Sequence, residues 1–121
     1  MGSKVLVVDD EPDLRFLLRR RFEKAGHEVF EAGDGATALR AVLAVRPDLV
    51  ITDLTMPVMD GYELIRLLRA DPATADIPIL SVTANLRPPT GVDATIAKPY
   101  HWEELISVAE RLLHDGHGEV R

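Results

Sequence analysis

What most restricts the fold of this chain is one alternation carried from end to end. A short, wholly apolar run is followed each time by a longer stretch with helical spacing. Val5 to Val8 is β-branched and aliphatic throughout, the pattern of a strand buried on both faces. Pro12 then stands where a first helical turn accepts it. Leu14, Leu17, Leu18, Phe22 and Ala25 follow at helical intervals, and Gly26 supplies a stop. The cycle repeats: His27 to Glu31 reads as a second strand, Gly33-Asp34-Gly35 as a plain turn, and Ala38, Leu39, Val42 and Val45 as the stripe of a second helix ending before Pro47. Leu49 to Ile51 is a third buried strand running to Asp53, and Leu64, Ile65 and Leu68 mark a third helix stopped at Asp71-Pro72. Ile77 to Val82 predicts a fourth strand, with Pro78 near its start where a proline is tolerated. Thr95 to Ala97 is a short fifth, and Trp102, Leu105, Ile106, Ala109, Leu112 and Leu113 form the stripe of a last helix.

Strands separated by helices imply a parallel sheet with helices on both faces, because parallel neighbours need crossovers of helical length. Ligands of such sheets bind beyond the carboxyl ends of the strands. Strand one ends in Asp9-Asp10, strand three in Asp53, strand four in Thr83, and strand five runs into Lys98-Pro99. One rim of the sheet therefore gathers three carboxylates, a hydroxyl and an ammonium. Three crowded carboxylates repel one another unless a cation neutralises them, and oxygen-only donors favour Mg²⁺, with Mn²⁺ as a substitute. Lys98 is a mobile point charge for a carboxylate or a phosphate, and Thr83 offers both a donor and an acceptor. Acids, Mg²⁺, lysine and hydroxyl together suit phosphoryl transfer, in which an aspartate can itself be the nucleophile.

Composition narrows the partners. The 14 Lys and Arg against 20 Asp and Glu give a formal charge of −6, which argues against direct, non-specific nucleic-acid binding. There is no cysteine, hence no disulfide, thiolate chemistry or cysteine-based zinc site. No apolar run approaches the length of a membrane span or of a signal-peptide core, so a cytoplasmic protein is expected. The 121 residues suit one domain, 1–121, with 114–121 as a flexible tail. His114 and His117 lie three apart in that tail, but Gly116 and Gly118 make a fraying helix end the better reading than a metal site.

These pieces carry a resemblance over essentially the whole length. Leu6-Val7-Val8-Asp9-Asp10-Glu11-Pro12, Pro47-Asp48-Leu49-Val50-Ile51-Thr52-Asp53, Met56-Pro57 with Asp60-Gly61, Ile77-Pro78-Ile79, Thr83-Ala84 and Lys98-Pro99 stand in the order found in receiver domains of two-component response regulators, which the chain resembles. The resemblance implies an α/β fold, a doubly wound five-stranded parallel sheet of flavodoxin-like order 2-1-3-4-5. It implies that Asp53 is the phosphoacceptor, and that Asp10, Asp53 and the backbone carbonyl of Thr55 ligate Mg²⁺ while Asp9 acts mainly through metal-bound water. Thr83 and Lys98 would contact the phosphoryl oxygens, with Leu54 and Ala84 among the binding positions. The implied phosphodonor is a sensor histidine kinase or a phosphotransfer protein, and the output is contact with a downstream protein that the sequence does not name. The only catalysis implied is of the protein's own phosphorylation and dephosphorylation.

Two departures stand against that pattern. Residues 84 to 97 normally hold a complete fourth helix, and a helix alone takes about 11 residues. Here Pro88-Pro89 and Gly91 interrupt the interval, so that helix is expected to be missing or reduced to a loop. Such a deletion should uncover apolar sheet surface, and phosphorylation is expected to act by ordering the Ala84 to Ala94 segment. Second, Thr95 stands where the family has an aromatic ring that turns inward on activation. A phosphorylation-independent interaction module on the same fold is therefore the alternative. A Mg²⁺-dependent phosphatase is disfavoured, because Thr55 occupies the position where those enzymes carry a second aspartate. With no output domain after the last helix, a free-standing receiver is expected.

Overall fold

The computed structural model describes residues 2–84, 87 and 89–117. Among the described residues the elements run β1 Lys4–Val8, α1 Pro12–Lys24, β2 Glu28–Ala32, α2 Gly35–Val45, β3 Leu49–Asp53, α3 Gly61–Ala70, β4 Ile79–Thr83, β5 Ala94–Ala97 and α4 Trp102–His117, five strands and four helices. All four strand pairings are parallel and the sheet order is β2-β1-β3-β4-β5. The anticipated architecture is the observed one.

Alternate residues of each strand feed two separate cores, as the period of two requires. Val5, Val7, Val29, Leu49, Ile51, Leu80, Val82 and Ile96 pack with Leu18 and Phe22 of α1 and with Leu105, Ala109, Leu112 and Leu113 of α4. Leu6, Val8, Val50 and Ile79 face the other way, onto Ala38 and Val42 of α2 and Leu64, Ile65 and Leu68 of α3. Local chemistry fixes where these helices start. Asp34 and Asp60 cap α2 and α3, accepting the amides of Thr37 at 2.8 Å and Glu63 at 2.9 Å. Pro12 opens α1, and Gly26, at φ 97°, closes it in a left-handed conformation.

Several expectations need correction. Leu17 and Ala25 are exposed, not part of the buried stripe of α1. Leu17 and Leu18 lie 100° apart on the helix, and the face through Leu14, Leu18 and Phe22 meets the sheet. β4 begins at Ile79, after Pro78, whose carbonyl still accepts the Val50 amide at 3.0 Å. The last helix runs through His117, so His114 lies inside a helix and not in a tail; residues 118–121 lie outside the described residues.

The interval between β4 and β5 contains no helix among the described residues. Asn85, Leu86 and Pro88 lie outside them. The expected apolar scar is not what faces that side of β5. Thr95 and Ala97 are exposed there, and the Thr95 hydroxyl shares a 2.8 Å hydrogen bond with that of buried Ser81 on β4. The described remainder of the connection is bound to α3. Arg69 donates to the Gly91 carbonyl at 2.6 Å and pairs with Asp93 at 2.9 Å, and it also holds the α3–β4 loop through the carbonyls of Ala75 at 2.8 Å and Ile77 at 2.7 Å. Asp93 in turn caps the β4 edge by accepting the Ile79 amide at 2.8 Å, and the Tyr62 hydroxyl donates to the Arg87 carbonyl at 2.9 Å.

Candidate phosphoacceptor and metal site

The carboxyl ends of β1 and β3 are neighbours in the sheet, so Asp9, Asp10 and Asp53 arrive together. One carboxylate oxygen from each lies within 4.8 Å of the other two. Asp9 is buried, Asp53 half-buried and Asp10 exposed. Asp53 is held at both oxygens. Its Oδ1 accepts the Leu54 amide at 2.7 Å and the Thr55 amide at 3.4 Å, while Oδ2 takes Lys98 Nζ at 3.2 Å. Lys98 also lies 3.9 Å from Asp9 Oδ2, and its amide donates to the Thr83 carbonyl at 2.9 Å, which fixes β5 beside β4 at this rim. The Lys98–Pro99 peptide is cis.

Burial raises the Asp9 carboxyl above its ordinary range; the Asp53 and Glu11 charges add to the rise, while the 2.9 Å bond from the Glu11 amide and the Lys98 ammonium oppose it. Three acids against one ammonium leave an excess of two negative charges when all are ionised. A divalent cation matches that excess, and the donors are all oxygen, so Mg²⁺ fits the residues present.

The loop after β3 is shaped by glycine. A side chain at Gly61 would collide with the Asp53 carbonyl, and the Gly61 amide donates to the Leu54 carbonyl at 3.0 Å. Gly35, read from sequence as part of a plain turn, instead packs on Met59, whose carbonyl accepts its amide at 2.9 Å. Val58 at the tip adopts φ 67° and is 84% exposed, a strained conformation for a β-branched residue.

Against this geometry the comparisons decide the family. The sequence model of the response regulator receiver domain matches residues 5–110. The chain belongs to the response regulator receiver family. Over 114 residues it is 38% identical to the DNA-binding response regulator MtrA of Mycolicibacterium smegmatis, covering 88% of this chain and 49% of that protein. The receiver thus spans about half the length of the curated relatives it matches. Among solved structures, the signal receiver domain of a histidine kinase from Syntrophus aciditrophicus superimposes with a TM-score of 0.88 at 32% identity, covering 99% of this chain and 96% of that one. TrrA of Thermotoga maritima, solved in complex with Mg²⁺ and BeF, gives 0.83 at 31% identity, covering 91% and 98%.

Of the residues singled out from sequence, Asp9, Asp10, Asp53 and Lys98 meet directly. Thr83 is buried at the end of β4, one residue beyond Val82, which pairs with Asp53. Leu54 contributes its amide while its side chain sits in the α2/α3 core. Thr55 is exposed beside Asp53, and Ala84 lines a cleft with Glu11, Leu14, Lys98, Pro99, Tyr100 and Trp102. Tyr100 was missed by sequence reasoning. Its hydroxyl is pushed above its ordinary pKa by burial and then by the charges of Asp9 and Asp53, so the ring lies within their field. Its place two residues after Lys98 was the available signal. No helix among the described residues is long and apolar enough to cross a membrane.

Proposed function

We propose that this receiver is phosphorylated on Asp53 in a Mg²⁺-dependent reaction and that the modified form binds a downstream protein. The observation that carries the reading is Asp53 itself, fixed by two backbone amides on one oxygen and by Lys98 on the other, inside a three-carboxylate cluster. Asp10, Asp53 and the Thr55 carbonyl would hold the metal, with Asp9 acting through a bound water. When bound, the cation neutralises oxygen charge on the transferring group. Mn²⁺ has the same oxygen preference and is proposed as a substitute.

Asp53 attacks phosphorus, forming a carboxylate O–P bond as the P–N bond to a donor imidazole breaks. The donor nitrogen keeps the bonding pair and takes up a proton. Lys98 exchanges part of its contact with Asp53 for a phosphoryl oxygen, and Thr83 and the Ala84 amide receive the others. The same residues would support hydrolysis of the acyl phosphate by water. The donor chemistry is that of a sensor histidine kinase or phosphotransfer protein in the cytoplasm. Domain 1–121 would act as one receiver unit, whatever adjoins it.

Intact-mass measurement after incubation with acetyl phosphate or phosphoramidate tests the reading. Wild type should gain one phosphoryl unit only when Mg²⁺ is present, and Asp53→Asn should gain none. Persistent modification of Asp53→Asn would assign the chemistry to another residue.

A further inference from the structure

Arg15 stands behind the acid cluster, and the site as read so far gives it no task. It is the fourth residue of α1, at the end of the helix whose dipole disfavours a positive charge. A local reason must hold it there, and two are present. Its Nη1 donates to the backbone carbonyl of Asp9 at 2.6 Å, and its Nε donates to Glu31 Oε1 on β2 at 3.0 Å. Helical side chains lean toward the helix N-terminus, which carries the guanidinium back over the chain that enters α1. The space is confined. Arg15 is 19% exposed, and a side chain on Gly33 would come within 3.3 Å of its Nη1.

The Asp9 carbonyl and the Asp10 amide belong to one planar peptide unit. Holding that carbonyl fixes ψ of Asp9 and φ of Asp10 together. The direction in which Asp10 projects its carboxylate depends on the second of these. Asp10 is the exposed member of the acid cluster, and none of the described residues donates a hydrogen bond to its carboxylate. Its side chain is therefore aimed through the backbone. The guanidinium binds the Asp9 carbonyl and Glu31, and so does not compete with a cation for the three carboxylates of the cluster.

We infer that Arg15, braced by Glu31, is a positioning residue that fixes the Asp9–Asp10 peptide plane and so sets the Asp10 carboxylate for divalent-cation binding. The inference rests on the metal-binding reading above. Its reach is specific: Arg19 also pairs with Glu31, at 3.1 Å, but does not touch the Asp9 carbonyl. The α1–β2 tie and the peptide-plane contact can thus be separated.

Calorimetric titration with Mg²⁺ and Mn²⁺ should be run on wild type, Arg15→Met, Arg15→Lys, Arg19→Met and Glu31→Gln. Loss of a partner outside the metal ligands typically weakens binding by about 10-fold or more, and Arg15→Met should do so. Arg15→Lys keeps a cationic donor for the carbonyl and should recover part of the loss. Glu31→Gln, which loosens the brace, should fall between, and it stands in if Arg15→Met does not fold. Arg19→Met should bind like wild type. Without metal, hydrogen exchange at the Asp10 and Glu11 amides should quicken in Arg15→Met and not in Arg19→Met. Metal affinity in Arg15→Met or Glu31→Gln equal to that of wild type overturns the inference, as does an equal loss in Arg19→Met. A wild type that binds no divalent cation instead overturns the metal-binding reading on which it rests.

Discussion

The two ends of the sheet solve the same covering problem in opposite ways. Around β1 and β3, the strand positions facing α2 and α3 are Leu6, Val8, Val50 and Thr52, all buried. On β4 that same face runs from buried Ile79 to Ser81 and Thr83, both still buried, and on β5 it ends in Thr95 and Ala97, which are exposed with no described helix over them. Parallel strands are ordinarily apolar on both sides because both sides are covered. Here that face turns polar toward the carboxyl ends while still buried, at Thr52, Ser81 and Thr83, and becomes exposed only on β5, which still presents Ile96 to the α1/α4 core. The acid rim runs across both regions without change, with Asp9, Asp10 and Asp53 on one and Lys98 on the other. Chemistry at strand ends and cover over strand faces are therefore separable in this fold.

The largest test of that contrast is a truncation on the covered side. Leu64 is fully buried between α3 and the sheet, so Leu64→Ala should cost about 3 kcal/mol in urea unfolding. A cost below 1 kcal/mol would mean that the α3 contact is not the tight one the structure shows.

Next in size is the bond set that stands in for a helix. Arg69→Met removes donors from the Gly91, Ala75 and Ile77 carbonyls and the partner of Asp93. Because two of these carbonyls meet a part-buried guanidinium, the loss should be about 2 kcal/mol. Exchange at residues 89–93 should quicken more than exchange in α2. An unchanged exchange pattern would show that Arg69 does not anchor the connection. The expectation that phosphorylation orders this segment is sharpened by the same measurement, since Arg69 already engages Gly91 and Asp93 in the unmodified chain.

The acid rim gives a smaller effect with a defined sign. Asp9 is raised by burial first and by neighbouring carboxylates second, so the folded state binds its proton more tightly than the unfolded chain does. Between the ordinary carboxylate value near 3.8 and the raised folded value, stability must fall as pH rises. Above that window the loss is complete. The contribution of this group to the stability of metal-free protein is therefore lower at pH 7 than at pH 4, and Mg²⁺ should restore part of the difference. Asp9→Asn should raise the metal-free melting temperature at pH 7 and weaken Mg²⁺ binding. Melting scans with EDTA and with Mg²⁺ check both, and a lower metal-free melting temperature for Asp9→Asn would contradict the account.

The site was legible from sequence because a parallel sheet sends every strand end to one rim, so Asp9, Asp10, Asp53, Thr83 and Lys98 could be placed by counting strands. The loss of a helix between β4 and β5 was legible too, since Pro88-Pro89 and Gly91 interrupt a short interval, and none lies there among the described residues. What stayed hidden depends on contacts between distant segments. Arg15 meets Glu31, Arg69 meets Asp93, and Gly35 meets Met59, and none of these pairs has a local spacing rule. Leu17 was misplaced because an apolar stripe can be wide enough to take two adjacent residues, as it does at Leu112 and Leu113, and the sequence does not tell how wide it is on α1. The apolar scar expected beside β4 was wrong for a simpler reason: Ser81, Thr95 and Ala97 were in view, but which face each occupies follows only from the register.

The smallest effect lies where that face passes from buried Ser81 to exposed Thr95. Thr95→Val preserves shape and removes the hydroxyl that pairs with Ser81. Ser81 is fully buried, so its hydroxyl loses a partner where water is scarce, at a cost of about 1 kcal/mol. Converting both residues, Ser81→Ala with Thr95→Val, removes donor and acceptor together and should be nearly neutral. The coupling between the two hydroxyls is then the difference between the double variant and the sum of the singles. Phosphorylation of Asp53 should proceed to the same extent in all three proteins, because neither hydroxyl touches the acid cluster. If Thr95→Val instead changes the rate or extent of phosphorylation, the hydroxyl pair connects the uncovered face to the rim, and the separation between chemistry and cover fails at β5.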